Sequence, residues 1–210
     1  MLAATCARPL LFALLVGAAS ASGAATIAIQ GSLGFVSDQG GGVYAGVGVG
    51  AAFSGFIDDA SFAGEISDGA TLTSFGCCIA AGGLAVQNDI AIDSATAALL
   101  NALSGTSAFS AGQVFDGVDI EGDVATAGGG RLEVGVSYLL DASAFSDGAA
   151  SNYPFDPSDL RVALFFIHEE DGVGQDVYDG IGLLTTVPEP SVAALLAIGA
   201  LGALPIRRRH

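Results

Sequence analysis

The sequence predicts an all-β fold: an antiparallel β-sandwich of jelly-roll type with one short helix, set between an N-terminal signal helix and a C-terminal transmembrane helix. Three observations lead there. Apolar residues alternate with polar or small ones along several segments, the period of a strand with one buried face. Clusters of glycine and aspartate, at 37–42, 67–69 and 171–174, punctuate those segments as turns do. Both ends are apolar stretches edged by arginine, unlike the acidic middle.

Residues 1–21 run in the order of a secretory signal peptide: the single cation Arg8, an apolar stretch over 10–19, then Ala19-Ser20-Ala21. Small side chains at Ala19 and Ala21 place the cut after Ala21, so the chain is expected to meet the secretion machinery and be exported. Cys6 precedes the apolar stretch, which excludes a lipidated N-terminus. Residues 22–186 are then one domain, long enough for a sizeable core.

Within that domain, Ile27, Ile29, Leu33 and Phe35 share one face of a strand over 26–35, and Leu132, Val134, Val136, Tyr138 and Leu140 share one face over 131–140. Residues 160–167 are apolar on both faces after Arg161, as a central strand is. Residues 43–53 alternate with glycine and alanine and read as a further strand. Shorter strands are expected over 61–66, 71–75, 79–86, 113–120 and 178–185. One segment has a different period. Asp93-Ser94, a run of good helix formers over 95–103 and then Gly105 give an N-cap, a helix and a C-terminal stop. This helix is expected to cap one end of the sandwich. No period of 20 to 50 residues repeats, which disfavours solenoids and propellers.

The C-terminal segment, 187–210, has three parts: Val187-Pro188-Glu189-Pro190, an uncharged stretch over 192–206, and Arg207-Arg208-Arg209. Arginines are retained on the cytoplasmic side of a membrane span, so the order describes a final span whose basic anchor stays inside. Fifteen helical residues reach about 22 Å against a hydrocarbon core of about 30 Å, and snorkelling arginine stems extend the reach. Such a span suits transient retention in an inner membrane. A buried helix with a basic last turn is the alternative.

These same residues resemble the PEP-CTERM sorting signal found on exported proteins of Gram-negative bacteria that make exopolysaccharide. The resemblance covers about 24 residues at the C-terminus. It implies recognition of Pro188-Glu189-Pro190 by an exosortase, a membrane transpeptidase-like enzyme that cleaves near the motif and passes the protein to the cell surface or the surrounding matrix. Exopolysaccharide is the partner that this setting suggests.

Composition restricts what the middle can do. Between residues 22 and 186, twenty-one carboxylates face two arginines, Arg131 and Arg161, a net charge of −19, and the chain has no lysine. Nucleic-acid binding, which needs basic contacts, is excluded. So are a P-loop and a lysine Schiff base. Gly46-Val47-Gly48 and its neighbours lie inside an alternating segment with no helix after them, which removes the context a dinucleotide fingerprint needs. His168, the single histidine of the domain, ends a strand beside Glu169, Glu170 and Asp171 and reads as a hydrogen-bonded rim residue. No G-x-S-x-G accompanies it, so no catalytic residue is assigned. Cys77 and Cys78 are adjacent and read as two half-buried thiols or an intermolecular pair, because neighbours on a strand point to opposite faces; a vicinal disulfide is the strained alternative.

Two acidic groups have the oxygen chemistry that calcium prefers: Asp116, Asp119, Glu121 and Asp123, and Glu169, Glu170, Asp171, Asp176 and Asp179. Neither has EF-hand spacing. A solvated loop is the plainer reading, so no metal site is assigned and no cofactor is expected. The reading that results is an exported, surface-associated or matrix-associated protein without enzymatic activity. A secreted polysaccharide hydrolase and a carbohydrate-binding module are the alternatives. A deep cleft lined by two facing carboxylates would favour the hydrolase. The lack of tryptophan leaves Tyr44, Tyr138, Tyr153 and Tyr178 as aromatic platforms for a sugar.

Overall fold

The structure, a computed structural model, describes residues 26–79 and 83–185. The signal peptide with Ala19 and Ala21, the motif Val187-Pro188-Glu189-Pro190, the apolar span and Arg207 to Arg209 lie outside these residues. Among the described residues no helix is long and apolar enough to cross a membrane. The elements are β1 (Thr26–Asp38), β2 (Ala52–Asp58), β3 (Gly64–Ser67), β4 (Leu72–Phe75), β5 (Leu84–Ala91), α1 (Ser94–Ser104), β6 (Val114–Ala125), β7 (Arg131–Asp141), β8 (Leu160–Glu170) and β9 (Asp176–Leu184).

The fold is all-β and antiparallel, as the alternation predicts, but the strands form one sheet in the order β4-β3-β2-β1-β9-β8-β7-β6-β5. This corrects the jelly-roll expectation, which needs two facing sheets and Greek-key crossings. β1 pairs with β9, and every other pairing joins strands consecutive in sequence; β4 and β5, also consecutive, stand at the two edges of the order. A two-residue period reports that one face is buried, not what buries it. Here the sheet rolls up and its own far wall covers the face. The inner side chains of all walls meet in a single core that includes Ile29, Phe53, Ile66, Ile120, Val136, Phe165 and Tyr178.

The roll closes at one place. Just after β4, Gly76 pairs with Asp123 of β6, exchanging N–H···O bonds of 3.0 and 2.7 Å. From there β5 runs on along the same edge of β6, starting from Leu84 opposite Ile120. The chain thus advances eight residues, Gly76 to Leu84, while β6 advances three, Asp123 to Ile120. β4 and β5 act as one barrel strand with an excursion between them. Cys77 and Cys78 sit in that excursion and are joined as a vicinal disulfide. The expectation of separate thiols is corrected: it assumed a strand over 79–86, whereas β5 begins at Leu84 and the cysteines are free of strand geometry.

Residues 43–53 are the other departure. Only the end of this segment is strand. Gly46 and Gly50 take φ values of 85° and 89°, which L side chains rarely adopt, and the segment turns instead of extending. It forms a plug at one end of the barrel: Tyr44 is fully buried, 5.5 Å from the Phe53 ring and 6.1 Å from the Tyr178 ring, and the Tyr178 hydroxyl donates to the Val47 carbonyl at 3.0 Å. The opposite end is closed by the segment between β7 and β8, where Phe155 packs 5.0 Å from the Tyr138 ring and the Tyr153 hydroxyl donates to Asp59 at 2.9 Å.

The helix forms as its sequence predicts. Asp93 accepts from the Thr96 N–H at 2.7 Å as N-cap, a bond worth about 1 kcal/mol, and Gly105 ends the helix in the left-handed region. Its position differs from the expected end cap. Leu100 and Ala97 pack with Ile92, Phe115 and Val162 in a second cluster, which includes Leu164 and Leu183 on its margin. The helix therefore covers outward-facing residues of the wall. This explains why 160–167 is apolar on both faces: Ala163, Phe165 and Ile167 face the barrel interior, while Val162 and Leu164 face α1.

Candidate functional site

Strand register sets a polar row across the outer wall near the plugged end. Asp123 lies opposite Glu133, Glu133 opposite His168, His168 opposite Asp179, and Asp179 opposite Ser37. The inward neighbours Leu132, Ile167 and Tyr178 are fully buried, so alternation forces the row outward.

His168 is its centre. Its Nδ1 lies 2.7 Å from Asp179 Oδ1, while Nε2 lies 3.4 Å from Glu170 Oε1 and 3.7 Å from Asp176 Oδ1. An ionised carboxylate only accepts, so Nδ1 carries the proton and Nε2 faces the other two carboxylates. Burial pulls the imidazole pKa down, but the hydrogen bonds to Asp179 and Glu170 outweigh it and hold the group above the usual histidine value. One ligand atom each from His168, Glu170 and Asp176 lie within 4.8 Å of one another. The group opens onto a recess of about 560 Å³ lined by Ser37, Gln39, Gly174, Gln175, Asp176 and Asp179.

The second acidic group of the sequence is thus divided. Glu170, Asp176 and Asp179 gather around His168, as a rim histidine would require. Glu169 points inward, 2% exposed, and accepts the Val43 N–H at 2.8 Å to each oxygen, which anchors the plug. Asp171 shapes the β8–β9 turn by accepting from Val173 and Gln175, each at 2.9 Å.

The first acidic group is not a turn at all. It lies on β6, and a strand that rises about 3.3 Å per residue with alternating faces disperses its carboxylates. Asp116 is buried and accepts from the Asp89 and Phe145 amides at 3.0 and 2.7 Å. Asp119 faces outward and accepts from Ser137 at 2.6 Å. Asp123 accepts the Ile79 N–H at 2.5 Å and Arg131 Nε at 2.9 Å, while Arg131 Nη2 also reaches Glu133 at 2.5 Å. Sequence reasoning missed Glu133, although Arg131 two residues before it on β7 is its ion-pair partner, because only the pairing of β6 with β7 sets both beside Asp123.

Glu121 is the most perturbed carboxyl of this wall. Burial first, then a hydrogen bond with Glu133, then the charges of Glu133 and Asp119 push it up to about 7, against the pull of Arg131. A carboxyl whose folded pKa exceeds its ordinary 4.5 holds its proton more tightly in the folded state. The stability this contributes is complete below about pH 4.5 and is lost as pH rises through about 7. The shift corresponds to about 3 kcal/mol unscreened. Solvent at a partly exposed position reduces that to about 1–2 kcal/mol. Glu121→Gln should therefore lose about 1–2 kcal/mol less than the parent between pH 5 and pH 8 in urea unfolding. Parallel pH profiles for the two proteins would refute the shared proton.

Compared with known proteins, the chain matches no family model, no curated sequence and no solved structure.

Proposed function

We propose that this chain is an exported, non-enzymatic protein of the Gram-negative cell surface or extracellular matrix, delivered by the secretory pathway and sorted by a PEP-CTERM-like signal over 187–210. The observation that carries the reading is the three-part order of that tail, Val187-Pro188-Glu189-Pro190, an uncharged stretch and Arg207 to Arg209, paired with a signal peptide ending at Ala19-Ser20-Ala21. Secretion machinery, the inner membrane and an exosortase-type enzyme are its partners in transit, and exopolysaccharide is the partner at the destination.

The domain between the signals fits a structural role. Its interior is filled by side chains and plugged at both ends. Glu121 and Glu133 lie on adjacent paired strands of one outer wall, not on facing walls of a cleft as glycosidase carboxylates do. Tyr44, Tyr138 and Tyr178 are buried in the core, and Tyr153 packs against Phe155, so the tyrosines offer little platform for a sugar ring. Both observations weigh against the hydrolase and the carbohydrate-binding module.

The motif and the span should fail differently. Glu189→Ala leaves the span intact, so export and membrane retention persist while release is lost, and a larger membrane-bound species accumulates. Aspartate at Leu195 and Leu196 costs about 2.5–3.5 kcal/mol each at the centre of a span, which abolishes retention. That variant should escape uncut. Mass spectrometry of the C-terminus in membrane and medium fractions reads both results, and a Glu189→Ala protein trimmed near residue 190 like the parent overturns the sorting reading.

A further inference from the structure

We propose that His168, Glu170 and Asp176 form a binding site for a divalent transition-metal ion of zinc(II) type, with Asp179 as the positioning residue behind the histidine. The argument starts from the imidazole. Metal-bound histidines almost always donate their second ring N–H to a carboxylate or carbonyl, which fixes the tautomer and aims the free nitrogen. The Asp179 contact at 2.7 Å supplies that arrangement, and Nε2 is the nitrogen left for a ligand.

The spacing agrees. Four ligands at about 2.1 Å around a tetrahedral zinc ion stand about 3.4 Å apart. Nε2 lies 3.4 Å from Glu170 Oε1 and 3.7 Å from Asp176 Oδ1. Small adjustments of side chains that are 27%, 32% and 65% exposed complete the approach. The recess lined by Ser37, Gln39, Gly174 and Gln175 gives an entry path and room for a water or an exogenous ligand in the remaining position.

Charge and softness narrow the ion. Three carboxylates converge on one imidazole, and the nearest arginine, Arg131, is already engaged by Asp123 and Glu133. Even a protonated imidazole leaves an excess of negative charge there, which a divalent cation neutralises. Calcium takes six to eight oxygen ligands, and a nitrogen at the centre of the set disfavours it. Imidazole with carboxylates suits zinc and its neighbours in the first transition row.

The test is titration of the full chain in detergent with zinc(II) and calcium(II), followed by calorimetry and by thermal unfolding. One zinc per chain and a raised unfolding temperature are expected. His168→Gln and Asp176→Asn should each weaken zinc binding at least tenfold, and Asp179→Asn about 10- to 100-fold through the orientation of the ring. Calcium in hundredfold excess should leave the zinc in place. Asp176 is exposed enough that its variant should fold, which circular dichroism checks. Zinc affinity unchanged in His168→Gln and Asp176→Asn overturns the site and places any bound ion elsewhere, for example on His210. A natively folded parent that takes up no zinc, or zinc that calcium displaces, overturns it as well.

Discussion

Phe165→Ala should destabilise the domain by about 3–5 kcal/mol, a large share of the 5–15 kcal/mol that holds a typical domain together. Phe165 is fully buried at the centre of β8, and its ring lies 5.9 Å from that of Phe53 on β2, with β9 and β1 between the two strands. It also fills space that glycines on the next two strands, Gly182 of β9 and Gly31 of β1, leave open. A Cβ on Gly182 would come within 2.3 Å of the Phe165 ring, and one on Gly31 within 2.8 Å. Removal of the ring therefore leaves a cavity over strands whose backbones are held in place by their own ladders and collapse poorly into it. Urea unfolding measures the loss. A change below about 1 kcal/mol would mean that the walls close over the gap and that the barrel is far more plastic than a close-packed interior.

Phe165 also marks what the sequence revealed and what it hid. Its strand is legible because seven apolar residues, interrupted only by Arg161, describe burial on both faces. The helix was legible because Asp93 and Gly105 are local signals that act within one turn of the chain. What remained hidden was the object on the other side of each buried face. A second sheet, the far wall of a rolled sheet and the flank of α1 impose the same pattern on a strand, so a sandwich was expected where a barrel forms. Residues 43–53 misled for a related reason. Alternating glycine and valine has the period of a strand, but glycine also permits the positive φ values that turn Gly46 and Gly50 into a plug.

The rim site was half legible. His168 and the acids that follow it were evident as a group, because they lie within a dozen residues along one hairpin. Their division was not. It follows from β8 running on through Glu170, where strand alternation turns Glu169 into the barrel and leaves Glu170 outside with His168, in a stretch that reads from sequence as a solvated loop. Glu121 and Glu133 became partners only through the pairing of β6 with β7, a relation across a turn that local periodicity does not encode.

The closing seam is where a single side chain should matter most after the core. Asp123 is 4% exposed, and its carboxylate accepts the Ile79 N–H of the cysteine excursion and the Arg131 guanidinium while its backbone pairs with Gly76. Asp123→Ala removes these two bonds to a buried charge, each worth about 1.5–3 kcal/mol, and leaves Arg131 with Glu133 as a salt-bridge partner. A loss of about 3 kcal/mol is expected, and it should be local before it is global. Amide exchange at Gly76 and Ile79 should accelerate at least tenfold more than at Val118, whose strand remains paired with β5 on one side and β7 on the other. This pattern would show the seam opening ahead of the wall. Equal acceleration at all three amides would mean that Asp123 stabilises the barrel as a whole, and that the Gly76 bridge holds its place without the staple.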